Sequence, residues 1–249
     1  MSEASLPAAV IGAEGLTKRF GPRLALDKID LEVQQGESVA LFGPNGAGKT
    51  TLVRILCMSL RPTSGSVSIG GLDPRKDDLQ IRQRIGLISH QSYLYDDLTA
   101  RQNLEFFSRL HGVPDPVRRS EELLTRFELE TRADDPIGTF SRGMQQRVSL
   151  ARSLVHDPSL VFLDEPFTGL DPYAAEMLRK TLEVLRDQQR TLVLVTHDLR
   201  QGLELSDRWL LLSRGRIVHS GRSSETDADS FDAASFRRLA QDAKRVRPA

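Results

Sequence analysis

The run Gly43-Pro44-Asn45-Gly46-Ala47-Gly48-Lys49-Thr50-Thr51 sets glycines, a lysine and two hydroxyls at the spacing G-x-x-x-x-G-K-[ST]. Glycine lets the backbone curl until successive N–H groups point inward, which makes a nest for an anion. A helix opening directly after the loop adds its positive N-terminal end to the same spot. Lys49 then supplies a point charge for the terminal phosphates of a nucleotide, Thr50 a hydroxyl for Mg²⁺, and Thr51 a hydroxyl toward the α-phosphate. A glycine-rich turn with an incidental lysine is the plainer alternative. Here, though, the run leaves an apolar strand expected at Ser38–Phe42 and opens a helix carrying Leu52, Val53, Ile55 and Leu56, as phosphate binding requires.

A second group of reactive types lies downstream. The apolar residues 160–163 end in Asp164-Glu165-Pro166. Buried parallel strands deliver side chains at their carboxyl ends, where open α/β sheets bind ligands. Asp164 is therefore expected in the Mg²⁺ shell through water. Pro166 disfavours the α region for the residue before it and is expected to hold Glu165 extended, pointing a carboxylate at the attacking water. A general base there contributes about 10²–10⁴-fold. The alternative is an acidic pair capping the helix that begins near Pro172. His197, in Thr196-His197-Asp198 after a strand at 192–195, is read as a γ-phosphate contact, with helix capping by Thr196 or Asp198 as the alternative. Gln91 closes Ile88-Ser89-His90-Gln91 where the texture of the chain changes.

These residues need a scaffold. Short strands are expected at 10–16, 29–33, 67–69 and 85–88. Residues 92–158 read as helical: Thr99 caps a pattern of Leu104, Phe107 and Leu110, Pro114 and Pro116 introduce another with Leu123, Leu124 and Phe127, and a third carries Val148, Leu150 and Leu154. Buried-strand runs at 160–163 and 192–195 then flank a helix at 173–187. The expected fold is α/β, a mostly parallel sheet covered on both faces, with an antiparallel β part and an inserted helical subdomain. The divisions are 1–91 and 159–222 for the core, 92–158 for the insertion, and 223–249 for a tail with a polar loop at 223–230 and a helix at 231–246.

Composition sets bounds. The 249 residues carry 34 Lys plus Arg and 34 Asp plus Glu, so no excess of positive charge argues for nucleic-acid binding, and no nucleic-acid partner is expected. Cys57 is the only cysteine, which excludes an intrachain disulfide and a thiolate metal cluster. No apolar run approaches the ~20 residues of a membrane span, and the first dozen residues lack the basic start of a secretory signal.

Taken in order, these elements resemble the ABC ATPase family over nearly the whole chain. The resemblance makes residues 43–51 the Walker A loop, Gln91 the Q-loop, 160–165 Walker B, Gly169-Leu170-Asp171 the D-loop and His197 the switch histidine. It implies ATP and Mg²⁺ as cofactors, catalytic roles for Lys49, Gln91, Glu165 and His197, and Thr50, Gln91 and Asp164 around the metal. Phe20 stands where the family stacks an aromatic ring on adenine. Phe140-Ser141-Arg142-Gly143-Met144-Gln145 holds the place of the signature Leu-Ser-Gly-Gly-Gln and departs from it at Phe140, Arg142 and Met144. Ser141 and Gly143 remain to grip a γ-phosphate. In the family the signature of one subunit faces the phosphate loop of another, so the resemblance implies a head-to-tail dimer with two composite sites, and it counts Ser141, Gly143 and the D-loop Asp171 among the nucleotide-binding residues.

The expected machine is an exporter ATPase on the cytoplasmic face of a membrane, coupled to a pore subunit that presses near Gln91. The stretches 89–104, 133–147 and 164–171 are similar to the haem-exporter ATPases of cytochrome c maturation. ATPases of drug or polysaccharide exporters are the alternative within this class. Soluble relatives in translation, DNA repair or iron–sulfur assembly form a second class, but the chain lacks a second cassette and a long coiled-coil insertion.

Overall fold

The computed structural model describes residues 9–89 and 93–227. Strands β1 (Ala9–Phe20) and β2 (Arg23–Gln34) form an antiparallel hairpin, followed by β3 (Ser38–Phe42), helix α1 (Lys49–Leu56) and β4 (Ser64–Ile69). Next come α2 (Asp78–Arg82), β5 (Ile85–Ser89), α3 (Ala100–Leu110), α4 (Pro116–Arg126), α5 (Arg142–Ser153), β6 (Leu160–Asp164) and α6 (Pro172–Asp187). The described residues end with β7 (Thr191–Val195), α7 (Leu199–Glu204), β8 (Arg208–Ser213) and β9 (Arg216–Arg222).

Two sheets result. An antiparallel sheet runs β2-β1-β4, and a six-stranded sheet runs β5-β6-β7-β3-β8-β9, parallel except for the β8–β9 hairpin at its edge. This is the α/β class expected from the alternation of apolar strands and helices. Every residue of β3, β6 and β7 is buried, which is why these strands read as unbroken apolar runs. Alternation still decides which face each side chain takes. Leu160, Phe162, Val193 and Val195 join a core shared with the antiparallel sheet and α1. Val161, Leu163, Leu192 and Leu194 join the core built with α3 to α6.

The helix starts follow the sequence closely. Thr99 and Gln102 form a reciprocal capping box on α3, Asp115 caps α4 with Pro116 at its first turn, and Ser141 and Asp171 cap α5 and α6. The expected strands at 10–16 and 29–33 fall within longer strands of 12 residues each. Two elements were not anticipated: α2, a single short turn, and the β8–β9 hairpin, whose buried Trp209 to Leu212 run precedes a turn at Arg214-Gly215. Gln91 and the tail helix expected at 231–246 lie outside the described residues. Within the expected loop at 223–230, Ser223–Glu225 forms a 3₁₀ turn.

The seam between α3, α5 and the sheet holds a stacked pair of imidazoles. His111 and His156 lie 3.9 Å apart and nearly parallel, and His156 Nε2–H donates to the Ile85 carbonyl at 2.9 Å. His156 Nδ1, the acceptor nitrogen of the neutral ring, is buried with no hydrogen-bond partner among the described residues. Burial, reinforced by His111 and Arg152 and opposed by the Ile85 carbonyl and Asp157, lowers the His156 pKa to about 4. Burial and Arg152 also lower that of His111. In the unfolded chain histidine titrates near ~6.5, so below that pH the unfolded state binds the proton first. Stability is therefore full above about pH 6.5 and falls as pH drops toward 4, by on the order of 3 kcal/mol from His156. The melting temperature of His156→Phe is expected to fall less between pH 7 and pH 5 than that of the wild type; equal falls would contradict a buried neutral imidazole.

Candidate functional site

Strands β3, β6 and β7 pair in register, so their carboxyl ends stop at one edge of the sheet and release the phosphate-loop residues, Glu165 and His197 side by side. The loop after β3 depends on glycine at positions where backbone approaches backbone. At Gly43, with φ of 148°, an added Cβ would lie 2.2 Å from the Leu212 carbonyl oxygen. At Gly48, with φ of 110°, it would lie 2.6 Å from the Ala25 oxygen. Gly48 is also the N-cap of α1, and it offers no side-chain acceptor, nor is any acidic residue present in the first turn. The other described helices of comparable or greater length, α3, α4, α5 and α6, are all capped by side chains. Among these described helices of eight residues or more, α1 alone lacks a side-chain cap, and its first N–H groups face the cleft as an anion site.

Lys49 is buried, and its Nζ donates to the Gly43 and Pro44 carbonyls at 2.7 and 3.2 Å. Burial pulls its pKa below the ordinary lysine value against the opposing pull of Glu165 and Asp164. Thr50 Oγ1 donates to Asp164 Oδ1 at 3.4 Å, a long contact for two oxygens. Hydroxyl and carboxylate oxygen are hard donors of the kind Mg²⁺ takes, so this pair fits the metal expected from the sequence.

Glu165 corrects one expectation. Its φ is 51°, left-handed rather than extended. Pro166 disfavours the right-handed α region, and the ladder leaves little choice of the rest. Glu165 N–H donates to Val195 O at 2.9 Å, one bond beyond the Asp164–Val195 pair, while its carbonyl accepts from Thr168 N–H at 3.2 Å. A non-glycine residue there costs about 1–3 kcal/mol, a strain that clusters at functional sites. The carboxylate is held by His197, whose Nδ1 lies 2.8 Å from Glu165 Oε2. The His197 side chain is 74% exposed and that of Glu165 27%, so the histidine stands on the solvent side. Asp198 caps α7 through Gln201 N–H, so capping in this segment falls to it and His197 is left for the cleft edge.

The cleft encloses about 380 Å³ and is lined by Phe20, Arg23, Ala25, residues 45–51, Asp164, Glu165 and Val195. Phe20 is half exposed at the tip of the β1–β2 hairpin, with Lys18 Nζ 5.1 Å from its ring. Arg23 was not singled out from sequence. The signal was the Gly21-Pro22 turn, which makes Arg23 the cross-strand partner of Phe20.

Ser141, Gly143 and Asp171 form a second group, none of which lines the cleft. Ser141 Oγ accepts from Met144 N–H at 3.3 Å, capping α5. Gly143 sits against Asp171, whose Oδ2 would be 2.7 Å from an added Cβ, while Asp171 Oδ1 caps α6 through Ala174 N–H at 2.8 Å. The departures from the family signature have ordinary places: Phe140 is buried, Met144 packs on the helical core, and Arg142 is exposed. The residues expected in one site are therefore divided in the chain, with the phosphate loop and acidic pair on one side and the signature and D-loop on the other.

A glycine-rich loop between a buried strand and an uncapped helix, facing an Asp-Glu strand end, defines a phosphate-loop nucleoside triphosphatase. Residues 26–168 match the family described as ABC transporter, and the chain belongs to that family as its ATP-binding, ATP-hydrolysing subunit. It is 39% identical over 88% of its length to a daunorubicin resistance ATP-binding protein of Streptomyces coeruleorubidus, of which it covers 70%. It is 36% identical over 87% of its length to a Nod factor export ATP-binding protein of Burkholderia lata, covering 72% of it. A dimeric ATP-binding cassette solved in a post-hydrolysis state with ADP and phosphate superposes with a TM-score of 0.78 at 28% identity, covering 86% of this chain and 98% of that one.

Gly48→Ala tests the steric argument. The left-handed backbone and the Ala25 carbonyl together are expected to cost about 2 kcal/mol or more, with loss of nucleotide binding. A melting temperature and ATP affinity equal to the wild type would show that the loop tolerates a Cβ there.

Proposed function

We propose that this chain is the motor of an exporter of the drug or polysaccharide type, and that it works as a head-to-tail pair on the cytoplasmic face of a membrane. The observation that carries the proposal is the division of the site. One chain holds a nucleotide cleft without a signature at its mouth, and a signature without a cleft, and the reciprocal pairing of two copies supplies each with what it lacks. The dimeric neighbour supports the same reading. The drug-resistance and Nod-factor-export names of the relatives support a small-molecule or lipo-oligosaccharide cargo more than haem export.

No helix among the described residues is long and apolar enough to cross a membrane; the proposal assigns cargo passage to a membrane subunit. A surface suited to such a subunit lies beside the end of β5. Tyr93 and Tyr95 are each half exposed, Tyr95 packs edge-on against Phe106 at 5.2 Å, and Arg152 lies over Tyr93 and Phe107. Residues 92–158 are then the unit that carries both this surface and the signature.

In the proposed reaction the loop N–H groups and Lys49 hold the phosphate chain and neutralise the charge that develops on it. Thr50 and Asp164 would hold Mg²⁺, with Gln91 completing the set, and the metal would supply further neutralisation of the triphosphate. Glu165, fixed by its strained backbone and by His197, takes the proton of the attacking water. His197 is free to turn from the carboxylate to the γ-phosphate. Phe20 stacks on the base. From the partner, Ser141, the α5 N-terminus at Gly143 and Asp171 close over the γ-phosphate and shut out bulk solvent around the attacking water.

Glu165→Gln keeps the shape and removes the base. With Mg-ATP it is expected to lose hydrolysis by about 10²-fold or more and to accumulate as a dimer in size-exclusion chromatography with light scattering. Near-normal phosphate release from this variant would sink the assignment of Glu165.

A further inference from the structure

Arg23 has no role among the residues discussed so far, yet it stands in the cleft. It is the direct cross-strand partner of Phe20 at the tip of the β1–β2 hairpin, and residues directly opposite in an antiparallel pair project to the same face. Both line the nucleotide cleft. The Arg23 guanidinium reaches the apex of the phosphate loop, where one of its terminal nitrogens lies 3.6 Å from the position a Cβ would take on Gly46. Gly46 has φ of 77° and no side chain, so the loop's outer surface beside the guanidinium is bare backbone.

Charge points the same way. The charged side chains lining the cleft are Arg23, Lys49, Asp164 and Glu165. Lys49 is engaged from within the loop by the Gly43 and Pro44 carbonyls. Without Arg23 the lining would carry one positive and two negative groups, a poor field for a polyanion. With it the lining is balanced, one cation on the Gly43 and Pro44 carbonyls and the other beside Gly46.

We infer that Arg23 is a second phosphate-binding cation, which reaches from the hairpin tip over Gly46 to the phosphate chain of the bound nucleotide while Phe20 beside it takes the base. The inference rests on the nucleotide reading above and adds to it. The hairpin thus acts as a two-pronged clasp, one prong indifferent to phosphate number and the other dependent on it. A guanidinium suits this place because its planar fork offers several donors to phosphate oxygens at once.

The test is calorimetric titration of the full chain with a non-hydrolysable ATP analogue, ADP and AMP. Arg23→Ala is expected to weaken the triphosphate by about tenfold, the low end for a charge-assisted hydrogen bond at an exposed position. The loss should shrink to about threefold for ADP and under about twofold for AMP, since fewer charges remain to be met. Arg23→Lys should recover at least half of the loss, and added salt should narrow the gap between wild type and Arg23→Ala. Equal losses for all three nucleotides would place the guanidinium on the base or ribose and overturn the phosphate assignment. Unchanged affinities would remove Arg23 from binding altogether. Failure of the wild type to bind the triphosphate would instead overturn the nucleotide reading, and this inference with it.

Discussion

The phosphate loop can exist only because backbone meets backbone beneath it. Gly43 presses on the Leu212 carbonyl of β8 and Gly48 on the Ala25 carbonyl of β2, so the loop is wedged between the two sheets. That wedge turns α1 toward the cleft with its first N–H groups unsatisfied. It also sets Lys49, the first residue of the helix, where burial disfavours its charge and two carboxylates partly oppose that effect. The hairpin that supplies Ala25 also supplies Phe20 and Arg23. The antiparallel sheet is therefore part of the binding site as well as a cover for the core.

From this constraint the rest of the cleft follows. Adjacent parallel strands in register must end together, so Asp164 and Glu165 face the loop, and His197 leaves β7 one strand away. The backbone at Glu165 turns left-handed directly after the last ladder pairing. That turn keeps the carboxylate at the sheet edge rather than along the strand direction, at a cost the surrounding ladder sustains. The helical segment, in contrast, is anchored through α6. Gly143 rests on Asp171 and Asp171 caps α6, so the signature is positioned by the same chain that follows the acidic pair. Within one chain the signature and D-loop residues therefore lie outside the nucleotide cleft that the phosphate loop and acidic pair line.

Much of this was legible in the sequence. The loop, the buried strands and the side-chain helix caps are local patterns of glycine spacing, unbroken apolar runs and Thr, Asp or Ser before a periodic stretch, and each has a local physical cause. The left-handed Glu165 was not legible, because the proline rule excludes one region without choosing among the others; the bond from Glu165 N–H to Val195 O decides it. Arg23 was missed because its importance comes from a cross-strand register to Phe20, a tertiary fact carried by a short turn. The β8–β9 hairpin was missed for a similar reason: its edge strand is only partly buried and its sequence alternates weakly.

The division of the site between two copies is the claim on which the transport reading depends. Its most direct measurement is the Ser141→Arg chain, assayed for ATP affinity by calorimetry and for turnover by phosphate release. Ser141 caps α5 outside the cleft, so a bulky cation there leaves the chain's own nucleotide site intact and obstructs the partner's. The account predicts wild-type ATP affinity in the isolated chain with hydrolysis abolished. Normal hydrolysis from Ser141→Arg would contradict it, showing that one chain carries a complete site by itself.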